Sequence, residues 1–110
     1  MSNLSRIEAL KSYAEQEPEN PFNWYALALE FRTQNPEQAL FYFNKLLNEF
    51  KVYLPTYFHA ASLYSEMNLI EDAKKIYESG IALAKTQNDA HALRELQNTY
   101  QNFLIENDLD

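Results

Sequence analysis

Apolar side chains recur every three or four residues along almost the whole chain, the period of amphipathic α-helices. Leu4, Ile7, Leu10, Tyr13 and Ala14 form the first stripe, opposite a polar face of Arg6, Glu8, Lys11 and Glu15. They predict a helix over 3–17 with Ser2 or Asn3 as its cap. Glu17-Pro18-Glu19-Asn20-Pro21 breaks that pattern. Pro18 cannot continue a helix, while Asn20 followed by Pro21 supplies an N-cap and a favoured first position for the next one. Trp24, Leu27, Ala28 and Phe31 mark a second helix from Pro21 to about Gln34. Asn35-Pro36 repeats the cap signal, with Gln38 placed as in a capping box. A third helix then runs to about Phe50, with Ala39, Leu40, Phe43, Leu46, Leu47 and Phe50 inward.

Lys51 to Leu54 reads as a connector, and Pro55 opens the stretch around which the chain is organised. From Pro55 to Lys85 two helices meet at Asn68. One carries Tyr57, Ala60, Ala61 and Tyr64 on a single face; the other carries Ala73, Ile76, Tyr77, Gly80 and Ile81. Ala61, Ala73 and Gly80 sit where two backbones come close, with the tyrosines filling the space around them. Thr86 to Asp89 closes this hairpin and caps a sixth helix, whose stripe is Leu93, Leu96, Tyr100, Phe103 and Leu104. Arg94, Gln97, Asn98, Gln101 and Asn102 make its other face polar.

Composition narrows the reading to one all-α domain. The chain has 110 residues, enough for one continuous core, and a single glycine and four prolines are too few for a turn-rich β-sandwich. Its net charge of -7, with nine scattered basic residues, argues against nucleic acid and anionic membranes. Cysteine is absent, which removes disulfides, thiolate catalysis and cysteine zinc sites. The charged N-terminus does not read as a signal peptide, and no run approaches the roughly 18 apolar residues of a membrane span. A soluble, cytoplasmic protein is the expectation.

The helices repeat. Trp24 aligns with Tyr57, Ala28 with Ala61 and Phe31 with Tyr64, each pair 33 residues apart. Ala39 aligns with Ala73, Phe43 with Tyr77 and Leu46 with Gly80, each 34 apart, so one residue is missing from the first turn. Two hairpins of one design stand in tandem. A hairpin alone cannot bury both faces of its helices, so neighbours must stack, and the ends of a stack need helices apolar on one side.

This pattern resembles the tetratricopeptide repeat family, in its small bacterial type. One copy reads Trp24, Leu27, Ala28, Phe31, Ala39, Phe43, Leu46; the other reads Tyr57, Ala60, Ala61, Tyr64, Ala73, Tyr77, Gly80. Pro18 stands where the family places the proline ending a preceding repeat. Lys51 and Lys85 replace that proline in the two copies, Leu46 is large where Ala is usual, and Ala60 is small where Leu is usual. The resemblance implies a right-handed α-solenoid of about six helices in antiparallel hairpins. It divides the single domain into a half repeat over 3–20, repeats over 21–54 and 55–87, and a C-terminal capping helix over 88–107.

Function is expected in binding another protein, without catalysis or cofactor. In the family the first helix of each hairpin lines a concave groove. The groove slots here would hold Phe22, Tyr25, Leu29 and Arg32, then Phe58, His59, Ser62 and Ser65, with Arg94 and Asn98 added by the sixth helix. Relatives that clamp a terminal carboxylate use Lys and Asn in such slots, and Tyr25, Leu29, Phe58 and Ser62 do not supply that chemistry. An aromatic groove suits an apolar or amphipathic segment such as a partner helix. The competing expectation is that neighbouring helices cover Phe22, Tyr25 and Phe58. Phe41, whose counterpart is Lys75, should point outward beside Tyr42, which makes a homodimer contact the alternative role. His59 and His91 lie on different helices without metal-ligand spacing, and read as surface polar residues. No serine has a paired base or glycine elbow. Glu71 and Asp72 suit the positive end of a helix, and the tail acids Glu106, Asp108 and Asp110 read as solvated.

Overall fold

The computed structural model describes residues 3–109, and among these there are six α-helices and no strand. They are α1 (Asn3–Gln16), α2 (Pro21–Phe31), α3 (Pro36–Glu49), α4 (Pro55–Glu66), α5 (Ile70–Thr86) and α6 (Ala90–Glu106). Ser2, Asp110 and the side chains of Asn3 and Leu4 lie outside the described residues. The chain forms two compact units, one ending at Thr56 and the other beginning at Tyr57.

In the first unit α1 and α3 both pack on α2. Ile7, Ala14, Leu27, Ala28, Ala39, Phe43 and Leu46 are buried. Tyr13, expected in the α1 stripe, is 54% exposed, because that stripe is wider than the face α2 covers. Asn20 caps α2 by accepting from the Phe22 amide at 3.1 Å, and Asn35 caps α3 by accepting from the Gln38 amide at 3.4 Å. The capping box at Asn35 is only half made, since the Asn35 N–H already donates to the Phe31 carbonyl at 2.8 Å. α2 stops at Phe31, short of the expected Gln34. The residue ahead of Pro36 leaves the helical region, with φ -149° and ψ 79°, and a three-residue bond from the Arg32 N–H to the Leu29 carbonyl at 3.3 Å ends the helix.

In the second unit Tyr57, Ala60, Ala61, Leu63, Tyr64, Ala73, Ile76, Tyr77, Ala84, Leu96 and Phe103 are buried, and Gly80 is buried with them. Ile81 is only half-buried. The small residues of the repeat therefore lie inside, with Ala28, Ala61 and Ala73 each at 0% exposure. Glu71 and Asp72 occupy the first turn of α5, and Asp89 caps α6 by accepting from the Ala92 amide at 3.0 Å.

Three helices of this unit end in one turn design. Asn68, Asn88 and Asp108 adopt left-handed backbone angles, with φ of 63, 56 and 55°. Each is followed by a residue whose N–H reaches back five positions: Leu69 to Tyr64 at 2.8 Å, Asp89 to Ala84 at 3.0 Å, Leu109 to Leu104 at 2.8 Å. These bonds satisfy carbonyls that a helix end leaves open.

Candidate functional site

α2 presents Phe22, Tyr25, Leu29 and Arg32 at spacings of three and four, so the backbone places them on one face. Phe22 is 56% exposed, whereas Tyr25, Leu29 and Arg32 are half-buried. Tyr25 sets its ring edge-on to Tyr53 of the connector, with centroids 5.7 Å apart. Neighbouring residues thus cover Tyr25 in part and leave Phe22 open.

The opposite side of α2 is fixed by an aromatic ladder. Phe31 stacks on Tyr42 at 5.8 Å, and Trp24 stacks on the same Tyr42 at 6.0 Å. Lys11 lies over Phe31 and Lys45 over Trp24, a cation at each end. The Trp24 indole N–H donates to the Pro18 carbonyl at 3.0 Å, which ties the helix-breaking loop to α2. This ladder orients the helix so that the Phe22 face points away from it. Tyr42 is therefore half-buried within the unit, with its phenol pushed up by burial and then by Glu15, while Phe41 beside it is 62% exposed. The sequence held a signal for this: Tyr42 aligns with Ile76, a buried residue.

In the second unit α4 carries Phe58, His59, Ser62 and Ser65, all half-buried. The Phe58 and His59 rings meet edge-on at 5.3 Å. Arg94 and Asn98 are exposed on α6. α6 is held to α5 by Tyr77, Tyr100 and Phe103, whose centroids lie 5.3–6.2 Å apart. The Tyr100 hydroxyl also donates to Glu78 at 2.6 Å. Periodicity gives no hint of this bond, because its partners are distant in sequence and Glu78 lies on a solvated face. Among the described residues no group of three or more His, Asp or Glu side chains is gathered as a metal site, and no helix is long and apolar enough to cross a membrane.

Comparison with known proteins adds a family. No protein-family model and no curated protein matches the chain. Solved structures do. The chain is 34% identical to a tetratricopeptide repeat domain protein from Salinibacter ruber determined by solution NMR, with a TM-score of 0.73 over 79% of this chain and 89% of that one. A crystal structure of the tetratricopeptide repeat domain protein from the same organism matches at 33% identity and a TM-score of 0.72, over 76% of this chain and 96% of that one. The fold is all-α and of the helical-repeat class. The chain belongs to the tetratricopeptide repeat family, and that membership supports a protein-interaction module.

Proposed function

We propose that the chain is a non-catalytic, cytoplasmic adaptor that binds an apolar or amphipathic segment of a partner protein on the α2 and α4 faces. The observation that carries it is Phe22, 56% exposed at the head of a face the repeat core does not need. Large exposed aromatics beside half-buried ones are what binding hot spots use, because rigid rings desolvate well and lose little entropy. A Phe22→Ala/Phe58→Ala double variant should fold as the wild type does, by circular dichroism, yet lose the proteins that wild type recovers from source lysate. Recovery of the same proteins by both would sink the proposal. Self-association is the weaker reading, because the inward turn of Tyr42 leaves Phe41 as the one exposed member of the Phe41–Tyr42 pair, and one exposed ring is ordinary on a monomer.

A further inference from the structure

One edge of the first unit has a character that the α2 face does not account for. The start of α2 and the segment after α3 enclose a shallow depression of about 430 Å³, lined by Pro21, Phe50, Val52 and Tyr53 with Asn48, Glu49 and Lys51 around them. Val52 is 73% exposed, although it is a β-branched apolar residue. A second depression, lined by the loop from Gln16 to Asn20, adjoins it through the Asn20–Pro21 bond. Glu19 and Glu17 stand two and four residues from Pro21, so their Cα atoms lie within about 7 and 14 Å of it. Both carboxylates are exposed and carry no ion pair among the described residues.

The backbone adds to that charge. α1 and α3 both end at this edge, and neither has a basic residue in its last turn. Two helix C-termini therefore bring their partial negative charge here, against the single positive N-terminus of α2, which Asn20 already caps. Glu49 is paired with Lys45, and Lys51 is the one cation on the rim. The balance favours a cationic visitor, and the chain as a whole carries -7.

We propose that this edge is a second docking site, for a short extended partner segment with a proline or aromatic anchor next to Lys or Arg. The depression is too small for the face of a helix and suits one or two flat side chains. Aromatic-lined depressions such as this one, with Phe50 and Tyr53 in its wall, bind proline-containing segments through their preformed extended backbone. The neighbouring Glu17 and Glu19 add attraction for a flanking cation. A second copy of this chain is disfavoured as the occupant, since it would bring acid to acid.

The test titrates the isotope-labelled full chain with a synthetic, end-blocked peptide carrying Trp-Pro-Pro followed by four lysines. Amide shifts should change at Glu17, Glu19 and Asn20 and at residues 48–53. Replacing the lysines by glutamates, or using the Glu17→Lys/Glu19→Lys variant, should weaken binding about tenfold. Val52→Ser, which removes apolar surface at an exposed position without changing the charge, should weaken the shifts at 48–53 while Phe22→Ala leaves them in place. Equal binding of the lysine and glutamate peptides overturns the proposal, as does an absence of shifts at millimolar peptide. Shifts confined to the α2 and α4 faces, or concentration-dependent shifts at this edge without peptide, overturn it too. The first of these would leave the adaptor reading standing, and the second would assign the edge to a dimer.

Discussion

Gly80 of α5 backs onto Tyr57 of α4: a Cβ built on Gly80 would lie 2.7 Å from the Tyr57 Cβ and 3.4 Å from a Leu96 methyl. The near atom is the root of the tyrosine, which cannot swing aside, so any side chain at this position must push the helices apart. Helix propensity alone predicts that Gly80→Ala gains about 1 kcal/mol. The contact predicts a net loss of about 1–3 kcal/mol, larger for Gly80→Leu. Urea midpoints of the two variants decide between these signs, and a stabilised Gly80→Ala would refute close α4–α5 packing.

Tyr100 and Glu78 should set a pH window. Burial, and then the bond and charge of Glu78, push the Tyr100 phenol from 10.0 up to about 12. The Tyr100 hydroxyl, aided by Lys74, draws Glu78 below its ordinary 4.5. A raised phenol contributes stability that is complete below pH 10 and lost as the pH climbs through about 12. A lowered carboxyl contributes stability that is complete above 4.5 and lost as acid protonates it in the folded state. Wild type should therefore exceed Tyr100→Phe in urea midpoint between those limits, with the difference closing at both ends. A difference independent of pH would mean the bond contributes nothing.

Thr56, in the first turn of α4, is 0% exposed, and its hydroxyl has no hydrogen-bond partner among the described residues. A buried unpaired hydroxyl opposes folding, and valine has the same shape without it. Thr56→Val should raise stability by about 1 kcal/mol. A loss by calorimetry would show that the hydroxyl is satisfied in solution.

Lys45 sits 4.7 Å from the Trp24 ring centroid. Lys45→Met keeps the packing of its stem and removes the charge, and with it both the ring contact and the exposed Lys45–Glu49 pair. It should cost about 0.5–1 kcal/mol, and Glu49→Gln, which breaks the pair alone, should cost less. Trp24 is the only tryptophan in the chain, so its fluorescence reports this transition directly. An unchanged midpoint would assign the ladder to stacking alone.

Local spacing made the fold legible. The two copies of an aromatic, a small residue and a second aromatic placed α2 to α5, and the apolar stripes of the end segments placed α1 and α6. Ala28, Ala61 and Ala73 proved fully buried as the repeat requires. Ends were less legible, because they depend on which amide reaches a carbonyl first: the Asn35 N–H goes to Phe31, so the capping box is left incomplete. Periodicity also cannot say how much of a stripe a neighbour covers, which is why Tyr13 stands in solvent and Trp24 is only half enclosed. For the binding faces, the slots on α2 and α4 could be listed from the repeat register, but the Tyr25–Tyr53 contact and the Tyr100–Glu78 bond join residues that no short-range rule connects.

The left-handed turns have a consequence for how this chain is punctuated. The helices of the second unit end on Asn68, Asn88 and Asp108, while the chain's lone glycine lies midway along a helix. A scan that equates glycine with a corner would cut the molecule at its tightest seam and read straight through its actual bends. Asparagine and aspartate do the bending here, and glycine does the fitting.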